Sequence, residues 1–311
     1  MKEKVYLGID VGATFTKIAL VDEECRLIAK TKISSAGFAV KTVFVQRVKE
    51  ALESILKGRH LSLSNVLGMG IGLPGQVDFD KGIIINLTNI RGWGHFHLVD
   101  YLKDFFHMPI FIENDANCMA LAEARMGAAK GASFALCLTL GTGVGGGLIV
   151  HNEIYRSPYF FGGEIGHMPV ALKGKTCVCG GAGCLEQYVG NRAIALKAQK
   201  VFRRKISLED LSAMAKKGHQ KAKAIWEDVG CLLGMAIAGM VNVFNPQIIV
   251  IGGGVASAGD VLFSPIEKTV KKHAMRLLKT KIKIKAAKLG NDAGVLGAAL
   301  LAKEKVESGC L

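Results

Sequence analysis

Three cysteines lie close together in the sequence, at Cys177, Cys179 and Cys184, and His167 precedes them. Three thiolates and one imidazole form the Cys₃His donor set of a closed, tetrahedral structural zinc site. The opening spacing is Cys-x-Cys rather than the commoner Cys-x₂-Cys, and several nearby glycines suit so tight a turn. A redox-active or merely buried cysteine trio is the alternative interpretation.

Two glycine-rich turns offer a second kind of chemistry. Backbone N–H groups can approach a phosphate closely at such turns, since no Cβ intervenes and positive φ is free. The spacing Gly141-x-Gly143-x-x-Gly146 matches the dinucleotide fingerprint, but a strand-like stretch follows it instead of the required helix, and no Walker A motif is present. Phosphate binding by hairpin turns therefore remains, with ordinary hairpins as the alternative. The candidate residues are Asp10, Gly12, Thr14 and Lys17 in the first turn and Gly141, Thr142 and Gly143 in the second.

A carboxylate at Asp115 follows a strand-like stretch and precedes a helical run over residues 116–126. Aspartate is strongly favoured as a helix N-cap, and it can also act as a general base. A position just outside a helix N-terminus would keep the carboxylate ionised, as a base must be. The residue pattern alone leaves both roles open.

The elements that must position these residues can be read from periodicity. Strands are predicted over residues 5–10, 16–21, 26–33, 66–72 and 109–113, and helices over residues 40–56 and 293–305. From Ser133 the opening pattern recurs, because Leu138-Thr-Leu-Gly-Thr-Gly resembles Leu7-Gly-Ile-Asp-Val-Gly, and residues 147–150 supply a second strand. The sequence thus indicates a duplicated unit, one copy in each of two domains.

Composition narrows the class of protein. The chain has 311 residues, of which 50% are hydrophobic, enough for two α/β domains. The net charge of +14 is spread out, and its densest cluster, Lys279 to Lys285, alternates with apolar residues as in an edge strand. We therefore expect no nucleic-acid partner.

No membrane partner and no secretion signal are expected either. The apolar run over residues 229–244 is too short to cross a bilayer and predicts a buried helix, with Gly230 and Gly234 at a close helix contact. The N-terminus carries no signal-peptide pattern, which predicts a cytoplasmic protein. The scattered cysteines are expected to be small buried hydrophobic residues in a reducing compartment. They are Cys25, Cys118, Cys137, Cys231 and Cys310.

Taken in order and spacing, the motifs resemble those of the ROK sugar kinases over nearly the whole chain. The resemblance implies an α/β, actin-like ATPase fold of the hexokinase/Hsp70 type, a duplicated ribonuclease H-like architecture with a sugar in the cleft. It implies a small domain over residues 1–117 and a large domain over residues 118–291, with a C-terminal helix at about 292–306 packing back on the small domain. The motifs are Asp10-x-Gly12-x-Thr14-x-x-Lys17, Glu113-Asn114-Asp115-Ala116-Asn117, Gly141-Thr142-Gly143, Gly163-Glu164-Ile165-Gly166-His167, Cys177-x-Cys179-x₄-Cys184-x-Glu186 and Gly252-Gly253-Gly254.

The same resemblance implies a role for each matching residue. Asp115 would be the general base, zinc would be structural, and Mg²⁺ would accompany ATP beside Asp10. Gly252 to Gly254 would lie beside the adenosine. From the residue pattern alone, Asp292 is expected only to cap the last helix, and Trp93 is expected to be a buried aromatic residue, with stacking on a sugar as the alternative. The implied sugar contacts are Asn114, Asp115, Glu164, His167 and Glu186. Gly75 and Asn89 are expected to complete the wall of the sugar pocket, with ordinary loop-turn residues as the alternative.

The implied reaction is transfer of the ATP γ-phosphate to the C6 hydroxyl of glucose by a homodimeric enzyme. N-acetylglucosamine or N-acetylmannosamine is the alternative substrate, and fructose is a further one. ROK repressors carry a DNA-binding module before the first phosphate strand, whereas here that strand begins near the first residue, which argues against a regulator. An actin-like ATPase or chaperone would not need the cysteine loop.

Overall fold

A computed structural model describes residues 3–88, 90–278 and 280–309. The chain forms two compact units. Unit 1 contains Met1–Ala122, Arg156–Phe161 and Asn291–Leu311, and unit 2 contains Glu123–Tyr155 and Gly162–Gly290.

Unit 1 is built on a mixed sheet and a small antiparallel sheet. Its strands are β1 (Val5–Val11), β2 (Phe15–Asp22), β3 (Leu27–Ser34), β4 (Val66–Leu73), β5 (Gly75–Asp78), β6 (Ile83–Leu87), β7 (Phe96–His97) and β8 (Ile110–Asn114). Its helices are α1 (Lys41–Lys57), α2 (Leu98–Lys103), α3 (Asp115–Arg125), whose last residues belong to unit 2, and, at the end of the chain, α9 (Ala293–Glu307).

Unit 2 has one sheet and five helices of its own among the described residues. Its strands are β9 (Phe134–Leu140), β10 (Val144–Val150), β11 (Glu153–Ile154), β12 (Ile248–Gly252) and β13 (Lys283–Ala286). Its helices are α4 (Glu186–Val189), α5 (Asn191–Phe202), α6 (Leu208–Lys216), α7 (Gln220–Phe244) and α8 (Asp260–His273).

The main sheet of unit 1 has the order β3-β2-β1-β4-β8. β1 pairs antiparallel with β2 and parallel with β4, and β4 pairs parallel with β8. The predicted strands and the first helix are confirmed with shifts of about one residue. Their apolar side chains bury on both faces of the sheet, as expected of strands covered by helices.

Helix α9 lies against β1 and β4 at two glycines. A Cβ at Gly8 would lie 2.1 Å from the carbonyl oxygen of Val295, and one at Gly70 would lie 1.8 Å from that of Ala298. No larger residue fits there, because atoms cannot approach so closely. The two glycines therefore fix how deeply the last helix of the chain packs on the first sheet.

The sheet of unit 2 has the order β11-β10-β9-β12-β13, which repeats the hairpin and two parallel strands of unit 1. This repetition confirms the predicted duplication. One boundary was wrong, since β10 begins at Val144 rather than Gly147 and includes the glycines between them. β13 is an edge strand with exposed Lys283 and Lys285, as predicted, although it is shorter than the lysine cluster, and Lys279 lies outside the described residues.

Helix α7 is the core helix of unit 2. Gly230 and Gly234 face α8, where a Cβ would lie 2.5 Å from side-chain atoms of Pro265 and Thr269, which confirms the predicted close contact. The helix begins at Gln220 and has 25 residues, so the expectation that it is too short to span a bilayer was wrong. It is long and apolar enough to cross a membrane, but 61% of its most apolar stretch is buried inside the protein, as in a core helix.

The exposure of two cysteines differs from expectation, and a buried carboxylate was not predicted. Cys118 and Cys137 are buried, but Cys231 is exposed on α7 and Cys25 is half-buried, while Cys310 lies outside the described residues. Glu123, near the end of α3, is fully buried in unit 2. Its carboxylate accepts hydrogen bonds from the backbone N–H groups of residues 128, 288 and 289, at 2.6, 3.1 and 2.8 Å.

Candidate active site and metal centre

The first turn of α3 shows which residue caps this helix. Asn114 Oδ1 accepts hydrogen bonds from the N–H groups of Ala116 and Asn117, at 2.9 and 3.2 Å. Asn114 is therefore the N-cap, and its Nδ2 donates to the carbonyl of Gly75 at 3.0 Å. Asp115 is the first helical residue, and its Oδ1 accepts from the Ala116 N–H at 2.8 Å. The capping role that Asp115 could have had belongs to its neighbour.

Glu113 supports this turn from below, a role that sequence reasoning did not assign. Its buried Oε1 accepts hydrogen bonds from the Asn114 N–H and from Asn117 Nδ2, both at 2.9 Å. Its Oε2 accepts from Arg156 Nε at 2.6 Å. Arg156 follows a hairpin as a single basic residue, so no local pattern marked it.

Gly75 occupies a position that only glycine fits. Its φ is +153°, and a Cβ there would lie 2.2 Å from the carbonyl oxygen of Asn86. The predicted contact Asn89 lies outside the described residues. Trp93 is buried, and its Nε1 donates to the carbonyl of Phe38 at 2.7 Å, which confirms the predicted structural role.

The first glycine turn joins β1 to β2 and carries an ion pair. Lys17 Nζ lies 3.2 Å from Asp10 Oδ2 and also donates to the carbonyl of Asn291 at 2.5 Å. Gly12 N–H donates to the Phe15 carbonyl at 3.2 Å and closes the turn. Thr14, at the tip, is exposed.

The start of α9 lies over this turn. A Cβ at Gly294 would lie 2.8 Å from Asp10 Oδ2, so glycine is needed where the helix meets the carboxylate. Asp292 was expected to cap α9, but its side chain makes no capping hydrogen bond. It binds Lys30 Nζ at 2.6 Å instead, because β3 brings this cation within reach.

The second glycine turn joins β9 to β10 and holds no charged residue. Gly141 N–H donates to the Gly143 carbonyl at 3.0 Å, and the Gly141 carbonyl accepts from the Asn191 N–H at 2.8 Å. Gly253, after β12, has φ +86° and would place a Cβ 2.3 Å from the Leu140 carbonyl oxygen. Asn191 Oδ1 is buried and has no hydrogen-bond partner among the described residues, a feature that sequence reasoning missed.

Positive φ does not explain the glycines of the two turns, contrary to expectation. Gly12, Gly141 and Gly143 all have ordinary negative or extended φ. A Cβ at Gly12 would lie 2.6 Å from the Phe15 carbonyl oxygen, and one at Gly143 would lie 2.6 Å from Glu186 Oε2. Close approach of a backbone atom is the reason for glycine at Gly12, whereas at Gly143 the neighbouring atom is the end of the Glu186 side chain, which a larger residue would displace.

The cysteine loop of unit 2 gathers the four predicted metal ligands. One donor atom from each of His167, Cys177, Cys179 and Cys184 lies within 4.8 Å of the others. Cys177 Sγ is 3.6 Å from His167 Nδ1, and Cys179 Sγ is 3.6 Å from Cys184 Sγ. Ligands bound tetrahedrally at about 2.3 Å would be about 3.8 Å apart, so the donor set fits zinc.

The backbone of this loop explains its glycines. Cys177 N–H donates to the Gly181 carbonyl at 2.8 Å, and Gly180 N–H donates to the Cys177 carbonyl at 3.1 Å. Gly180 and Gly183 adopt φ values of +91° and +75°. Positive φ is strained for other residues, so the tight turn depends on glycine, as the sequence indicated.

The thiols are tuned by burial and by hydrogen bonds. Burial raises the pKa of Cys184 to about 12 and also raises the pKa of Cys177. The backbone N–H of Gly181 lowers the pKa of Cys179. Zinc binds thiolates, so a divalent cation here would displace protons from the two buried thiols.

His167 faces the metal ligands with one ring nitrogen and a carboxylate with the other. Its Nδ1 lies toward Cys177, and its Nε2 is 3.8 Å from Glu164 Oε2. Glu186 Oε1 accepts from the Cys177 thiol at 3.2 Å, while Glu186 Oε2 lies against Gly143. The predicted residues of unit 2 are thus close neighbours of the metal set and of the second glycine turn.

Comparison with known proteins agrees with this geometry. The model of the ROK family matches residues 6–305. The chain is 35% identical to a glucokinase of Halalkalibacterium halodurans, over 99% of this chain and 98% of that protein.

Two solved structures show the same fold. A ROK family glucokinase from Streptomyces griseus, solved with glucose and AMPPNP, aligns with a TM-score of 0.84 and 30% identity, over 96% of this chain and 99% of that one. A ROK family transcriptional regulator, a homolog of the Escherichia coli MLC protein, aligns with a TM-score of 0.88 and 25% identity, over 99% of this chain and 79% of that one. The predicted actin-like, two-domain α/β fold is confirmed, and the chain belongs to the ROK family.

Proposed function

We propose that this protein is an ATP-dependent hexokinase that transfers the γ-phosphate of ATP to the C6 hydroxyl of glucose, giving ADP and glucose 6-phosphate. The observation that carries the proposal is the first turn of α3, where Asn114 caps the helix and Asp115 stands beside it. Similarity to the glucokinases of Halalkalibacterium halodurans and Streptomyces griseus supports glucose as the acceptor.

The chemistry assigned to Asp115 is general-base catalysis. Its carboxylate would accept the proton of the C6 hydroxyl as the hydroxyl oxygen bonds to the γ-phosphorus and the bond to the β-phosphate oxygen breaks. The N–H groups at the start of α3 stabilise a negative side chain at this position. Asn114, oriented by Gly75, would hold the sugar beside the base.

The glycine turns are assigned to ATP. The Asp10 carboxylate would accept hydrogen bonds from the waters of Mg²⁺, which keeps several waters when bound to protein carboxylates and phosphates. The turn over Gly141, Thr142 and Gly143 would present the backbone N–H groups of Thr142 and Gly143 to phosphate, because the Gly141 N–H is bonded within the turn. Gly252 to Gly254 would lie beside the adenosine. The buried Oδ1 of Asn191, which has no partner among the residues that the structure describes, lies next to Gly141 and Gly254 and suits a hydrogen-bond donor of the nucleotide.

Zinc is assigned to the loop of unit 2 as a structural ion, held by His167 and the three cysteines. Bound there, it would cross-link the loop that carries Glu164 and Glu186, which we assign to sugar hydroxyls together with His167 Nε2. Gly75 and Asn89 are assigned to the wall of the sugar pocket. Cytoplasmic location, in a glycolytic role, agrees with the free thiols of the seven cysteines that the structure describes, and a homodimer is the state that the family suggests.

A coupled ADP-release assay tests the function. Glucose is expected to give a higher kcat/KM than N-acetylmannosamine, N-acetylglucosamine or fructose, because a site that binds a particular hydroxyl rejects sugars lacking it. An N-acetylated sugar that leads by about tenfold would replace glucose as the substrate, since that ratio exceeds 1 kcal/mol. ADP release that does not depend on sugar would indicate an ATPase.

A further inference from the structure

The carboxylate of Glu113 is almost completely enclosed directly before the proposed base. Its side chain is 3% exposed, and Glu113 is the last residue but one of β8, directly before Asn114, the cap of α3. One oxygen serves Asn114 and Asn117, and the other is paired with Arg156. A buried carboxylate keeps a single orientation only while its charge is compensated.

Arg156 is itself held in place on two sides. Its guanidinium lies over the ring of Phe79, 4.2 Å from the centroid. The same ring meets Phe160 edge to face, with centroids 5.4 Å apart. The planar guanidinium can stack and donate at once, which a lysine ammonium cannot.

The six residues Arg156–Phe161 belong to unit 1, although the chain before and after them belongs to unit 2. The contacts of Arg156 and Phe160 described above are all made with residues of unit 1. The chain therefore enters unit 1 for only these six residues, and the first of them, Arg156, pairs with a buried carboxylate close to the proposed base.

The charge of Arg156 also reaches the neighbourhood of Asp115. The pKa of the buried Cys118 thiol on α3 is raised well above its usual value, first by burial and then by the negative charges of Glu113, Asp10 and Asp115. Arg156 opposes that rise. The charges of one guanidinium and three carboxylates therefore all affect the pKa of the same buried thiol.

We propose that Arg156 is a positioning residue for Asp115, acting through Glu113. This inference rests on the proposed function for its kinetic part. Arg156 fixes the Glu113 carboxylate, Glu113 fixes the Asn114 backbone and the Asn117 amide, and these fix the first turn of α3. Asn117 depends on this contact, because its Oδ1 has no hydrogen-bond partner among the described residues.

The test compares four variants with the wild-type protein. Arg156→Met removes the positive charge but keeps a long side chain. Arg156→Lys keeps the charge but lacks the planar guanidinium that stacks on Phe79. Glu113→Gln combined with Arg156→Met removes the buried negative charge as well. Arg26→Met is the matched control, because Arg26 Nε also binds a carboxylate of unit 1 at 2.6 Å, that of Asp22, but on the surface. Each variant is measured for kcat with glucose, KM for ATP, and amide hydrogen exchange over residues 110–120.

Arg156→Met is expected to lower kcat by about 10- to 100-fold, the size of effect that a misplaced catalytic group produces. KM for ATP should stay unchanged, and amides 114, 116 and 117 should exchange faster. Arg156→Lys should fall between wild type and Arg156→Met, the double variant should recover part of the lost protection, and Arg26→Met should behave as wild type. A general loss of structure would change KM and exchange throughout the chain instead.

Wild-type turnover in Arg156→Met with unchanged exchange would overturn the proposal. If Arg156→Met does not fold, Arg156→Lys alone tests the proposal. Full kcat in that variant would contradict positioning by the planar guanidinium. If the wild-type protein phosphorylates no hexose, the proposed function fails, and the exchange data still show whether Arg156 orders the start of α3.

Discussion

Unit 1 and unit 2 each build a five-stranded sheet in which three antiparallel strands are followed by two parallel strands, in the orders β3-β2-β1-β4-β8 and β11-β10-β9-β12-β13. Their hairpin turns differ in charge. The turn of unit 1 places Asp10 beside Lys17, whereas the turn of unit 2 is uncharged and has Glu186 from the cysteine loop against it. In unit 1 the charged side chains thus belong to the hairpin itself, whereas in unit 2 the charged side chain beside the turn comes from the cysteine loop.

The segments after the last strand differ as well. In unit 1, β8 leads directly into α3, whose first turn is held by Asn114 and the buried Glu113. In unit 2, β13 leads through residues 287–292 to α9, which belongs to unit 1 and packs on its strands β1 and β4. The site residues of unit 1 are held by hydrogen bonds at a helix start, and those of unit 2 by a loop whose side chains suit a metal. Breaking each kind of support should therefore give a different defect.

Asp115→Asn should produce the largest change in activity. The amide can still hydrogen-bond to the helix and to a sugar, but it cannot accept a proton, so kcat should fall by about 10² to 10⁴. The melting temperature should stay close to that of the wild type, because Asn114 remains the cap. Kinetics with saturating glucose and a thermal melt measure the two quantities.

Asp260→Asn is the control for this prediction. Asp260 is the first residue of α8 in unit 2, so it shares the helix position of Asp115 without the proposed chemistry. Its variant should keep wild-type kcat. A fall of less than about tenfold for Asp115→Asn, below the usual loss of a general base, would contradict the catalytic role.

The strands, the duplication and the clustering of His167 with the three cysteines could be predicted from sequence because each has a local signature. Period-two apolar residues mark β1 and β2, and three cysteines in a short loop mark a metal site. The capping role of Asn114 was missed because Asn and Asp stand side by side at the helix start and both favour that position. Only the hydrogen-bond geometry separates them.

The remaining misses are contacts between residues far apart in sequence. Arg156 is paired with Glu113 across 43 positions, and Glu123 accepts from amides 165 and more positions away. Asp292 also pairs with a residue far away in sequence, Lys30, and its side chain does not cap α9. No periodicity encodes such pairs, since they exist only once the sheets have brought the segments together.

Removing zinc should be the next largest effect and should act on unit 2. Protein purified without chelator should contain about one zinc per chain, and Cys179→Ser should lower both the zinc content and the melting temperature. Loss of a structural metal is among the changes that cost more than about 4 kcal/mol of unfolding free energy. Metal analysis and thermal melts provide the measurements.

Cys231→Ser is the matched variant, because Cys231 is an exposed thiol of the same unit outside the ligand set. It should keep both zinc and stability. Protein that is free of metal and yet fully active would exclude the structural zinc and leave a buried cysteine trio.

Glu123 tests whether unit 2 also relies on a buried carboxylate. Glu123→Ala leaves three backbone N–H groups without their acceptor, which should cost about 2 to 4 kcal/mol of unfolding free energy. Glu123→Gln keeps one amide oxygen and should cost less. A thermal melt of both variants beside Glu53→Ala, an exposed glutamate of α1, measures the difference, and equal melting temperatures would show that the buried contacts carry no net stability.

The smallest change in stability is expected at the glycine turn of unit 2. A Cβ at Gly141 would meet no atom within 4 Å, whereas one at Gly12 would lie 2.6 Å from the Phe15 carbonyl oxygen, a backbone atom. Gly141→Ala should therefore change the unfolding free energy by less than about 0.5 kcal/mol, and Gly12→Ala by more. If phosphate approaches the second turn, the added methyl group should still raise KM for ATP while KM for glucose stays the same. Steady-state kinetics of Gly141→Ala decide the matter: a stable variant with wild-type KM for ATP would mean that only the charged turn of unit 1 handles phosphate.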